Sequence, residues 1–223
     1  MQKLTIKKTF KHTPDVWSFF LHPKPDFTAG QVAVLGMDGY KSSYLAFASA
    51  PEDAECEFLV RRNDNETTLA HALFTREESL ITLENVIGNG FSLEEHRGAD
   101  VLFLAMGTGI APLRSTLRHI FHDRGDYGKL TVLHGIRQNT DQYFVAEIND
   151  EWRKQEVLYQ PIVSRPDENW PGEKGYVHHF LEKIITPSAK SVALLCGSPE
   201  MMKQTREKLN LLGMSDDQIL TNY

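Results

Sequence analysis

Cysteine is scarce: Cys56 and Cys196 are the only two in 223 residues. Two thiols are too few for a disulfide framework or for the ligand set of an iron–sulfur cluster. No apolar run approaches the ~18 residues that a membrane span requires, and MQKLTIKKTF at the start lacks the apolar stretch of a secretory leader. Unpaired thiols without a leader fit a reducing, cytoplasmic setting. An excess of positive charge is also missing. Lys and Arg number 24 against 30 Asp and Glu, for a net charge of −6. The basic residues are scattered, so nucleic acid is not an expected partner. No G-x-S-x-G elbow argues for a hydrolase, and no Gly-Lys-Ser/Thr follows the glycines as in a Walker loop. His119 and His122, and likewise the adjacent His178 and His179, have no third ligand nearby in the sequence, so no metal site is expected.

What is present divides near residue 98. Before it, short β-rich runs recur: Leu4–Thr9, Val16–Leu21, Gln31–Met37, Tyr44–Ala48, Cys56–Val60 and Ser79–Leu83. Turn material such as HPKPDFTAG and GMDGYKSS separates them, and Thr67–Phe74 is the one helical candidate. This pattern predicts an antiparallel barrel or sandwich. After Gly98 the apolar runs VLFLAM, KLTVLHG, EVLYQPIV and SVALLCG alternate with amphipathic segments at 110–120, 141–153, 176–184 and 200–211. Ile110, Leu113, Leu117 and Ile120 fall on one helical face. That alternation predicts a doubly wound parallel sheet. The expected fold is therefore α+β in two domains: a β-barrel over 1–98 and an α/β domain over 99–223.

At 101–115 the chain reads VLFLAMGTGIAPLRS, a strand that passes through Gly107-Thr108-Gly109 into a helix. Ligands of parallel sheets gather at the carboxyl ends of strands. Glycines let backbone N–H groups approach a ligand, and a helix N-terminus favours phosphate. The same turn also suits a purely steric strand–helix connection. It is not the G-x-G-x-x-G fingerprint, because Pro112 stands at the third glycine's place and HGIRQNT brings no acid after the second strand.

Several segments, taken in order, resemble the ferredoxin–NADP reductase superfamily. Phe27-Thr28-Ala29-Gly30-Gln31 is similar to its F-x-x-G-Q entry, and Gly88-Asn89-Gly90-Phe91 to its G-x-G-x-F loop. Gly107-Thr108-Gly109-Ile110-Ala111-Pro112 matches its pyrophosphate loop. Residues 170–177, WPGEKGYV, resemble W-x-G-x-x-G-Y-V, and Cys196-Gly197-Ser198-Pro199-Glu200-Met201 matches C-G-x-P-x-M. The resemblance spans almost the whole chain. It implies a flavin-binding barrel joined to a nicotinamide-dinucleotide domain. In that frame residues 107–112 hold the pyrophosphate, Gly197, Pro199 and Met201 belong to the dinucleotide site, and Cys196 lies beside the nicotinamide. Ser164-Arg165 would meet the 2′-phosphate of NADP, with NAD the other candidate, and Tyr223 would stack on the flavin.

The flavin signature R-x-Y-S-x-x-S is broken. In its place stand Ser43, Leu45 and Ala46, and only its last serine, Ser49, remains. Losing the phosphate-binding guanidinium removes roughly 1.5–3 kcal/mol of charge-assisted contact. Lys41 or Arg61 is a candidate replacement for the charge, and Thr68 a candidate for the flavin pyrophosphate. Tyr44 carries a ring, but strand alternation points it away from the face of residue 45. The resemblance implies an NAD(P)H-dependent reductase that passes a hydride to FAD, or FMN, and electrons to an external acceptor. The alternative is a flavin-free NAD(P)-binding regulatory or assembly module. Gly109→Val is expected to abolish dinucleotide binding and leave the fold intact, as measured by NADPH titration and circular dichroism.

Overall fold

The computed structural model describes residues 1–75, 80–188 and 190–222. Its first half is a curled antiparallel sheet built from β1 (Gln2–Lys11), β2 (Val16–His22), β3 (Val32–Gly36), β4 (Ser43–Ala46), β5 (Cys56–Arg61) and β6 (Leu80–Ile87). The strand order is β4-β3-β6-β1-β2-β5. A lone Phe47–Phe58 bridge draws the two edges together, so the sheet is a partly closed barrel. Helix α1 (Leu69–Thr75) plugs the barrel with Leu69, Ala72 and Leu73.

The second half is parallel throughout. It comprises β7 (Asp100–Met106), α2 (Ile110–Ile120), β8 (Leu130–Ile136), α3 (Val145–Glu147), β9 (Leu158–Val163), β10 (Glu173–Lys174), α4 (Leu181–Ile184), β11 (Ser191–Cys196), α5 (Pro199–Leu211) and β12 (Ile219–Thr221). The order β10-β9-β8-β7-β11-β12 builds outward from β7 in one direction, then crosses to the other side. Strands covered on both faces read as continuous apolar runs, which is why Val101–Ala105 and Val192–Leu195 are buried without alternation. The expected α+β architecture is the one observed.

Three local expectations change. The helix expected over 141–153 starts at Val145, because Asp141 instead accepts the Gln138 N–H in a turn and Phe144 is left-handed at φ 57°. It then widens into a π-helical turn at Ile148–Trp152. The segment 176–184 is a 3₁₀ turn, Val177–His179, followed by α4, each burying its own apolar residues against the sheet. The short strands β10 and β12 add two edges that runs of two and three residues do not announce.

The halves share one apolar cluster, in which Val16, Ala48 and Leu59 of the barrel pack with Val101, Leu113 and Leu117. A buried polar network crosses the same seam. Arg114 of α2 donates Nη1 to the Ala48 carbonyl at 2.6 Å and to Glu57 at 2.8 Å. Its Nε and Nη2 meet Glu147 at 2.8 and 2.6 Å, and its guanidinium lies 4.2 Å from the Phe144 ring centre. One turn on, Arg118 grips Asp53 through two bonds of 2.8 and 2.9 Å. Burial pushes the Glu147 carboxyl up, but Arg114 and Arg118 beside it outweigh this and hold it below the usual carboxylate range. Arg114→Leu strands the buried Glu57 without its counter-charge and leaves Glu147 with Arg118 alone at 3.3 Å. It is expected to lower the unfolding free energy by about 3–5 kcal/mol, read from urea denaturation. Arg118→Ala, at a wetter site, is expected to cost less.

Candidate functional site

A groove of about 700 Å³ opens over the carboxyl ends of β7, β8 and β9 and the start of α5. It lies where the strand order reverses between β7 and β11, the place where open α/β sheets take ligands. Gly107 and Thr108 form one wall, and Gly135, Ile136 and Arg137 follow from β8. Ser164 follows β9, and Ser198, Glu200 and Met201 come from the α5 end. Helix α5 is well capped: Ser198 accepts the Met201 N–H at 3.2 Å, and Pro199 occupies the first turn. Its one remaining first-turn N–H, that of Glu200, and the positive end of the helix dipole favour an anion there.

The two glycines of the turn differ in purpose. Gly107 has φ +55° with nothing near its absent Cβ, so conformation demands glycine there. Gly109 is helical at φ −60°, yet a Cβ would sit 2.5 Å from the Cys196 carbonyl oxygen. Packing demands glycine at 109, because the turn rests directly on the end of β11. Gly109→Val must therefore disturb the backbone at 196–197 as well as any ligand, which revises the expectation of an intact local fold. Ile110, Ala111 and Pro112 are buried behind the turn and begin α2.

Of the other expected residues, Ser164 lines the groove, with its hydroxyl turned back to the Ile136 carbonyl at 3.4 Å. Arg165 is exposed, and its backbone N–H meets the Arg137 carbonyl at 2.8 Å. Gly197 packs against Met106 and Met201, where a Cβ would meet both at 3.0 Å. Cys196 is paired in register with Ala105 and packs against the apolar cluster. Burial pushes its thiol up to about 12, so it stays a neutral group. Tyr223 lies outside the described residues. Ser49 is buried and accepts the Glu57 N–H at 3.0 Å, beside a separate cavity of about 780 Å³ between the halves. Thr68 donates to the Asn65 carbonyl at 2.9 Å at the start of α1. Neither lines the groove.

Arg137 and Tyr143, which the motifs do not single out, line the groove, and so does His178, which the sequence offers only as a metal ligand. HGIRQNT was read for the acid it lacks, not for the arginine it carries. Arg61 also reaches the groove, but it is engaged by Asp15 at 2.8 Å and the Tyr143 hydroxyl at 2.7 Å, so it is not a free replacement charge. The Nδ1 of His178 is buried without a partner among the described residues.

A flavin, by the resemblance, would lie against β4, and the side chains there test its fit. Leu45 turns into the barrel with Phe58, Val60 and Leu69, while Tyr44 on the opposite face is 70% exposed. Lys41 is exposed, tied by its backbone to Thr67 and Leu69, and its ammonium has no partner among the described residues. The exposed cation and ring at β4 are therefore Lys41 and Tyr44, while positions 43 and 45 offer a flavin neither.

Two histidines, His134 fully buried and His12 half-buried, are held neutral by their surroundings. His134 accepts and donates within the sheet, at 3.1 Å to the Tyr159 hydroxyl and 2.9 Å to the Gly107 carbonyl. His12 bridges Ser18 at 2.8 Å and the Phe144 N–H at 3.3 Å. Burial, reinforced at His12 by the charge of Arg114, lowers both from 6.5 to about 4.

Comparison with known proteins adds the following. The family described as "Oxidoreductase NAD-binding domain" matches residues 103–207. The chain is 30% identical over 203 residues to sulfhydrogenase 1 subunit gamma of Pyrococcus furiosus, covering 89% of this chain and 68% of that protein. It is 24% identical over 196 residues to the ferredoxin–NAD(P)(+) reductase component of the naphthalene 1,2-dioxygenase system of Pseudomonas putida, covering 87% and 59%. A solved ferredoxin NADP+ reductase from Neisseria gonorrhoeae superposes with a TM-score of 0.80 at 23% identity, covering 99% of this chain and 97% of that one.

Because the histidines are neutral when folded and bind protons when unfolded, their stabilisation is complete above pH 6.5. It is expected to fall steadily towards pH 4 with a slope approaching two protons, measured from urea midpoints across that window.

Proposed function

The chain belongs to the ferredoxin–NADP reductase superfamily, and from that premise we propose that it is an NAD(P)H-dependent flavoprotein reductase. It takes its dinucleotide in the groove at the β7/β11 crossing and hands electrons to an external protein acceptor. Residues 1–98 are the flavin half and 99–223 the dinucleotide half. The observation that carries this reading is the groove itself. A left-handed glycine at 107, a half-buried Thr108 and the capped start of α5 converge at the topological switch point.

The chain's own groups divide the work of binding. Amides of the 107–109 turn and the first turn of α5 meet the diphosphate. Arg137 lines the groove after β8, and Arg165, exposed after β9, is tied to it by its backbone N–H; neither guanidinium has a partner among the described residues. Two free guanidinium groups there favour NADP over NAD. Met106 and Met201 form an apolar wall, and the neutral thiol of Cys196 adds no charge that would repel or trap a nicotinamide ring. Tyr44 on β4 and Lys41 just before it would hold the flavin. When bound, a flavin supplies the exchange between two-electron and one-electron chemistry that no side chain here provides. Electrons leave to a partner because two distant cysteines cannot hold a cluster in this chain. The naphthalene dioxygenase reductase component, named for a ferredoxin acceptor, supports a protein of that kind.

A second reading has its own observation. Leu45 faces inward and Ala46 has no hydroxyl, so the usual ring contacts are missing. A flavin-free NAD(P)-binding module would show the same features. The colour of the purified protein separates the two. A stoichiometric yellow protein that bleaches on adding NADPH is the expected outcome. A colourless protein that takes up no added FAD, yet binds NADPH saturably, overturns the flavoprotein reading in favour of the module.

A further inference from the structure

We propose that His134 is a positioning residue of the dinucleotide site, orienting the glycine turn through the carbonyl of Gly107 and itself oriented by the hydroxyl of Tyr159. The inference rests on the dinucleotide reading of the groove. His134 is fully buried on β8, one strand away from the turn, and touches no groove surface. Its Nε2 lies 2.9 Å from the Gly107 oxygen and its Nδ1 3.1 Å from the Tyr159 Oη.

Only one arrangement of hydrogens satisfies these contacts. A carbonyl oxygen accepts and never donates, so Nε2 carries the hydrogen. The ring is neutral, so Nδ1 holds a lone pair and must accept from the tyrosine. Burial raises the Tyr159 hydroxyl's pKa, so its donor hydrogen stays in place. The chain of donation runs Tyr159 Oη–H to Nδ1, then Nε2–H to the Gly107 carbonyl.

The consequence for the turn follows from peptide geometry. In a planar trans peptide the carbonyl of one residue and the N–H of the next point in opposite directions. A Gly107 carbonyl drawn inward to His134 therefore aims the Thr108 N–H outward, and Thr108 lines the groove. The φ of +55° at Gly107 follows no steric demand, because nothing lies within 4 Å of its absent Cβ. It is the conformation that lets the carbonyl meet two donors, the His134 Nε2–H and the Ile110 N–H. Without the imidazole only the Ile110 N–H holds the carbonyl, and the aim of the amide is loosened.

The test uses the full chain and three variants. His134→Leu removes the donor, His134→Gln restores one of similar reach, and Tyr159→Phe keeps the Nε2–H but removes the hydroxyl that orients the ring. NADPH titration is expected to give about tenfold weaker binding for His134→Leu, the scale of one lost hydrogen bond in a preorganised site. His134→Gln is expected to stay close to the wild type. Tyr159→Phe is expected to fall between them. Nitrogen-15 NMR of the ligand-free protein should show His134 as the Nε2–H tautomer, both in the wild type and in Tyr159→Phe. Amide exchange at Thr108 should quicken in His134→Leu with no dinucleotide present. A wild-type Nδ1–H tautomer, or a folded His134→Leu protein that binds NADPH as tightly as the wild type, overturns the proposal. A wild-type protein that shows the expected tautomer and binds no pyridine dinucleotide overturns the reading of the groove instead.

Discussion

The buried guanidinium of Arg114 stands at the centre of the ties between the two sheets. Arg114 is buried between them, with one edge on the barrel at Ala48 and Glu57 and the other on Glu147 of the second half. A buried charge is tolerated only when its partners are placed to meet it, so the geometry of the seam is strongly specified. The same helix carries the glycine turn at its beginning and Arg114 little more than one turn later. Fixing Arg114 against the barrel therefore fixes the turn. Ser115, next along, accepts the Gly30 N–H at 3.3 Å and adds a second tie, and Asn222 donates to the Gly30 carbonyl at 2.9 Å.

Around this anchor the hydrogen bonds run in one direction. The Phe144 N–H donates to His12 Nδ1, so His12 donates from Nε2 to Ser18, and Ser18 donates to Glu57 at 2.5 Å. Glu57 and Glu147 then take the guanidinium, and the Trp152 indole N–H completes Glu147 at 2.9 Å. Every link is consistent with a neutral His12 and ionised carboxylates. The left-handed Phe144 is held at one end of that chain, with its ring against Arg114. Local strain at 144 is thus balanced by contacts to both halves.

Much of this architecture was legible. Alternating β runs before Gly98 and strand–helix alternation after it foretold both sheets, because each follows from which faces are covered. The turn at 107–109 and the start of α5 were legible as motifs, and both line one groove. What escaped reading was long-range. Arg114 and Arg118 sit on a helix whose apolar stripe was plain, but arginine at such spacing reads as a solvated face, and only the fold supplies Glu57, Asp53 and Glu147. His134 lay inside an apolar strand with no local sign of its partners. Gly109 looked like a ligand-approach glycine, and its tightest neighbour is the backbone of β11. The break at Leu45 was visible, and the register Ala33–Leu45 shows why the change is tolerated: position 45 joins the barrel interior.

The contact between Gly109 and the Cys196 carbonyl joins the two crossover units of the second half with no side chain between them. Backbone against backbone has no rotamers to absorb displacement, so β7 with α2 and β11 with α5 form one undivided jaw. Widening the cleft for an incoming dinucleotide cannot come from splaying these two units apart. Any hinge lies in segments outside that contact, and a displacement of the glycine turn is passed undiminished to the end of β11 and the start of α5.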